Sequence, residues 1–102
     1  MNNNGNHDID IIEQLKADRK KRIQDLVERI TEANPEAMLA DGLNDALAGI
    51  DVHGRAIYFV EGIIGILMER DGMTEEEAVE FFDYNIAYTE VGDYTPIYMW
   101  EE

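Results

Sequence analysis

Apolar residues recur at helical intervals along much of this chain. Ile9, Ile12 and Leu15, followed by Ile23, Leu26, Val27 and Ile30, fall on one face of a single helix over 8–33. Asp8 stands at its cap position and acids occupy its first turn. No large apolar residue lies between Leu15 and Ile23, so the stripe is broken and the helix is expected to project partly into solvent. Residues 1–7 are Asn-rich with no apolar anchor after Met1, the composition of a disordered end. Asn34-Pro35 closes the first helix and opens another. Leu39, Leu43, Ala46, Leu47 and Ile50 share a face that would carry this second helix to about His53, with Gly54 just past its end. A small hairpin is the competing reading, with strands over 50–52 and 56–60 turning at His53-Gly54.

The pattern changes at Ala56. Ala56-Ile57-Tyr58-Phe59-Val60 is rich in β-branched and aromatic residues and contains nothing polar, which predicts a core strand. Over 61–71, Ile63, Ile64, Ile66, Leu67 and Met68 wrap more than half a helical circumference, so this helix is either sandwiched inside the monomer or shared with a second subunit. Gly62 and Gly65 would let another backbone approach it. Gly72 marks a left-handed helix end, and Thr74 with Glu77 three residues on forms a capping box for the next helix, over 75–88. Met73 and Ala78 are spaced to close as a hydrophobic staple across that cap. Ala78, Val79, Phe82 and Ile86 form this helix's core face, while Glu76, Glu80, Asp83 and Glu90 line the opposite side with Tyr84 and Tyr88 at the border. Val91-Gly92-Asp93 signals a turn, and Thr95-Pro96 introduces a short strand over 97–100. Counting reversals of direction, that strand runs antiparallel to the first, and a helix hairpin covers the pair. The expected fold is α+β and mainly helical, with about four helices and a two-stranded antiparallel pair. It forms one domain, a long helix over 8–33 followed by a compact acidic core over 34–102. All nine aromatics lie from Tyr58 onward, which places the expected core in the C-terminal half.

Charge is divided unevenly along the chain. Before Ala33 six basic residues (Lys16, Arg19, Lys20, Lys21, Arg22 and Arg29) meet seven acids, a net charge of −1; from Ala33 onward Arg55 and Arg70 meet sixteen acids, a net charge of −14. A polyanion of this kind repels nucleic acid and anionic membranes and favours a basic partner. A surplus of acids that only keeps the protein in solution is the plain alternative. The basic cluster has three readings: a solvated helix face, an internal or intersubunit partner for the acidic part, and a phosphate-binding patch. With no cysteine there are no disulfides, thiolate metal sites or cysteine nucleophiles, and a reducing cytoplasm is the expected compartment. The most apolar run, 56–68, is too short to cross a bilayer, and the first residues lack the blocks of a signal peptide. The acids over 41–51 lack the calcium-loop spacing, and a carboxylate stripe on one helix is a poor cage for a hard cation, so no metal or cofactor is expected. His53 reads as a residue near a helix C-terminus rather than a catalytic base. Without a nucleophile motif the chain is expected not to be an enzyme.

ILMERDGMTEEEAVEFFDYNI over 66–86 and VGDYTPIY over 91–98 resemble a family of small proteins encoded by phages and prophages. The resemblance covers about half the chain and implies a genomic setting more than a mechanism. Together with the charge, it leads to the expectation of a small acidic interaction protein. Such a protein would occupy the basic groove of a host nuclease, CRISPR effector or restriction-type enzyme in the host cytoplasm, through Glu76, Glu80, Asp83, Tyr84 and Glu90. A homo-oligomeric accessory or regulatory module is the alternative. In either case exposed apolar surface on the first helix and on the 61–71 helix predicts self-association.

Overall fold

The computed structural model describes residues 4–88 and 92–101. Its first helix, α1 (Asn4–Ala33), leads into a loop and a single 3₁₀ turn at Asn44–Ala46. Strands β1 (Leu47–Ile50) and β2 (Ala56–Phe59) follow, then helices α2 (Val60–Asp71) and α3 (Glu75–Asn85) and a last strand, β3 (Ile97–Met99). The class is α+β. Among the described residues there are three α-helices and one three-stranded sheet with β2 in the middle, in place of the expected four helices and two strands.

The second helix is absent because the backbone of its stretch finds tertiary partners. Asn34 turns the chain instead of starting a helix: its Oδ1 accepts the Glu36 N–H at 3.1 Å and its Nδ2 donates to the Gly54 carbonyl at 3.1 Å. The Ala40 N–H donates to the Tyr58 hydroxyl at 2.8 Å, and the Met38 N–H to the Tyr94 carbonyl at 3.3 Å. Leu43, Ala46 and Leu47 are buried nonetheless, delivered by loop, 3₁₀ turn and strand. The hairpin is the reading that holds, with its first strand over 47–50 instead of 50–52. β1 and β2 pair antiparallel with Leu47 opposite Tyr58 and Ile50 opposite Ala56, and a bulge between Leu47 and Gly49 takes up one extra residue. Asp51 organises the turn, accepting the N–H groups of His53 (2.9 Å) and Arg55 (2.8 Å) and the Arg55 Nε (2.8 Å). Burial alone would raise the Asp51 carboxyl; these donors together outweigh it and hold the group below the usual carboxylate range. His53 therefore sits in a β-turn and not at a helix end.

β3 pairs with β2 as expected but in parallel, with Tyr58 beside Tyr98 and Phe59 beside Met99. Eleven residues, 86–96, separate α3 from β3 in sequence, so the two are not joined by a tight turn. A count of reversals that treats this connection as a tight turn gives the opposite direction.

α2 is sandwiched within the monomer. Val60, Ile63, Ile64 and Leu67 are buried, and the helix packs on β2, on the 3₁₀ turn and on α3. Gly72 ends it with φ 70°, and Thr74 and Glu77 form both hydrogen bonds of the capping box, at 3.1 and 2.9 Å. The core gathers Ile30, Leu47, Tyr58, Val60, Ile63 and Leu67, so it draws on α1 and β1 as well as on the C-terminal half. Tyr98 packs edge-on against Phe82, with ring centres 5.6 Å apart, and at 6.0 Å from Tyr58. Residues 4–7, expected to be disordered, belong to α1. No helix among the described residues is long and apolar enough to cross a membrane.

Two glycines of α2 that look alike in the sequence differ in three dimensions. A Cβ on Gly62 would stand 2.9 Å from the Ala46 Cβ and 3.1 Å from its Cα, whereas one on Gly65 would meet nothing within 4 Å. Gly65→Ala is expected to stabilise by up to about 1 kcal/mol through helix propensity. Gly62→Ala is expected to destabilise by about 1–3 kcal/mol through overpacking, because its neighbour includes backbone. Thermal unfolding of the two variants reads the signs, and equal shifts would contradict this packing.

Candidate functional site

The candidate surface is the outward side of α3. Thr74 and Glu77 fix where the helix starts, and Ala78 and Phe82 turn its inner face into the core. At 100° per residue Glu76, Glu80 and Asp83 then fall within about 60° of one another on the opposite side. All three are exposed, and Tyr84 beside them is 85% exposed. Successive carboxylates stand roughly 4.5–6 Å apart along the axis. Glu90, the fifth residue expected in this group, lies outside the described residues. The stripe makes no ion pair, and no three acidic or histidine side chains converge as a metal site among the described residues. Glu77 is set apart from the others by its structural role in the cap.

Aromatic side chains flank the carboxylates on both sides. A shallow depression lined by Met73, Glu80, Phe81 and Tyr84 lies along one edge, and another lined by Asp83, Tyr88, Pro96 and Trp100 along the other. Tyr88 is 84% exposed and Trp100 54%. The segment after Trp100 is tied to α2 by the Glu101 N–H, which donates to both Glu61 carboxylate oxygens at 3.0 and 3.1 Å. Phe81 and Trp100 were not singled out by sequence reasoning. The signal for Phe81 is its neighbour: adjacent helical residues point 100° apart, so Phe81 and Phe82 cannot both face the core. Trp100 has no comparable signal.

A cleft of about 320 Å³ opens nearby between the 38–43 loop and helices α2 and α3, lined by Met38, Leu39, Leu67, Arg70, Phe81 and Tyr98 among others. Arg70 is fully engaged, donating to both Asp71 carboxylate oxygens at 3.0 and 3.1 Å and to the Gly42 carbonyl at 3.0 Å. The Asp71 pair raises Arg70, and Arg70 in turn holds Asp71 below the usual carboxylate range. Burial pushes the Tyr58 and Tyr98 phenols up. The shifted groups thus belong to the turn, the helix end and the core, and all have structural partners or surroundings.

The tyrosine shifts predict an alkaline limit to stability. A phenol whose pKa is raised in the folded state is neutral there while the unfolded chain ionises at the ordinary value of 10.0. Stability from Tyr58 and Tyr98 is therefore fully present below pH 10 and lost as pH rises through the raised values. Urea midpoints should fall steeply above about pH 10; a midpoint unchanged to pH 12 would contradict it. No family model matches this chain, and neither a curated protein nor a solved structure does.

Proposed function

We propose that this is a small, non-catalytic, phage-type protein that acts in the host cytoplasm by occupying the basic groove of a nucleic-acid-handling protein, of nuclease, CRISPR or restriction type, and inhibiting it. The observation that carries the reading is the row of Glu76, Glu80 and Asp83, free of cationic partners among the described residues and bordered by Phe81, Tyr84, Tyr88 and Trp100. Carboxylates spaced along one helix offer lysines and arginines a line of negative charge like that of a nucleic-acid strand. The exposed rings supply apolar contact that salt does not screen, the combination of aromatic anchors and complementary charge found at strong interfaces. With a net charge of −14 from Ala33 onward, the protein itself is not expected to bind nucleic acid.

Nuclease activity in a host extract tests the reading. Added protein should reduce cleavage of a labelled duplex, and raising the concentration of that labelled duplex should restore it, since protein and duplex compete for one groove. Inhibition that excess labelled duplex leaves unchanged, or no inhibition at all, would count against it.

A further inference from the structure

We propose that the N-terminal half of α1 is a dimerisation arm that pairs antiparallel with the same arm of a second copy. Every side chain over 9–22 is exposed, and burial in α1 begins only at Ile23. At 100° per residue Ile9, Ile12 and Leu15 lie on the same side as Ile23, Leu26 and Ile30. The face that is core further along the helix thus continues bare beyond the body, with Ile12 51% and Leu15 62% exposed. A helical segment of about this length that buries no side chain against the body is marginal in water, so a partner on the apolar face is what holds it.

Charge selects both the partner and the direction. Asp10 and Glu13 precede Lys16, Arg19, Lys20, Lys21 and Arg22 along the arm. Lys21 is paired with Asp25 at 3.3 Å and Arg19 reaches the Asp45 carbonyl at 3.4 Å, while Lys16, Lys20 and Arg22 have no ion pair among the described residues. Parallel pairing would set cation against cation at each level and bring together two bodies that each carry −14 from Ala33 onward. Antiparallel pairing about a centre between Ile12 and Leu15 stacks the apolar residues on their counterparts. It also sets Asp10 and Glu13 near Lys16 and Lys20 of the other copy, and leaves the acidic bodies at opposite ends.

Sedimentation of the full chain at tens of micromolar should give a dimer, and Ile12→Gln with Leu15→Gln should give a monomer with an unchanged melting profile, since neither residue touches the core. Direction is read by cysteines introduced into a chain that has none. In the antiparallel pair residue 9 lies beside 16–18 of the other copy, while two residues 9 stand roughly 13 Å apart along the axis, beyond disulfide reach. Ile9→Cys mixed with Lys16→Cys should therefore oxidise to a mixed disulfide, and Ile9→Cys alone should not. A monomeric parent, a dimer that survives the double glutamine variant, an assembly larger than two, or a disulfide between two copies of the Ile9→Cys chain would each overturn the proposal.

Discussion

Tyr58→Ala is expected to cost about 3–5 kcal/mol of stability, and Tyr58→Phe about 1–3 kcal/mol. Tyr58 is the largest fully buried side chain, at 0% exposure, at the centre of the middle strand and against Tyr98. Truncation leaves a ring-sized void in the core and removes the support on which Tyr98 and then Phe82 rest. The phenylalanine variant keeps the packing and removes one atom, the hydroxyl oxygen that accepts the Ala40 N–H at 2.8 Å. That bond ties the 35–43 loop to the sheet, and without it a part-buried N–H is left without its acceptor. Since domains of this size are held by about 5–15 kcal/mol in total, the alanine variant should be close to unfolded at 37 °C. Urea unfolding followed by circular dichroism measures both changes. A phenylalanine variant as stable as the parent would mean that the loop does not depend on this bond.

The same tyrosine marks where sequence reasoning succeeds and where it stops. β2, α2, the Gly72 end, the Thr74–Glu77 cap and α3 are each specified by residues close in sequence, through patterning, capping and a left-handed glycine, and all are legible. The stretch over 35–53 is not. A helix C-terminus and a β-turn both call for a residue like Gly54, here at φ 84°. What decides between them is contact at a distance, from the Tyr58 hydroxyl and the Asn34 side chain. The periodic spacing of Leu43, Ala46 and Leu47 is real in the sense that all three are buried, but it does not arise from a helix. Of the surface on α3, the carboxylates and Tyr84 follow from periodicity alone. Trp100 reaches that surface only because β3 joins β2 in parallel, which no local signal encodes.

Reversing Glu76, Glu80 and Asp83 to lysine is expected to weaken partner binding by on the order of 100-fold or more, because close charge pairs across an interface couple by about 1.5 kcal/mol or more each. The fold should survive. None of the three contributes to the core, and Glu77, which does hold the helix start, is left in place. Glu76 lies in the first turn of α3, where a negative charge meets the positive end of the helix dipole, so its reversal is the one expected to lower the melting temperature. Tyr84→Ala should behave differently. It should leave the salt dependence of association intact and raise the dissociation rate, since an aromatic contact acts after encounter and is not screened.

The most direct measurement immobilises the parent and the triple lysine variant side by side and passes a host lysate over both. The parent should retain one or a few basic, nucleic-acid-binding proteins, duplex DNA or RNA should elute them, and the variant should retain none of them. If the variant holds the same proteins as the parent, or if nucleic acid fails to displace them, the acidic face of α3 is not the binding surface.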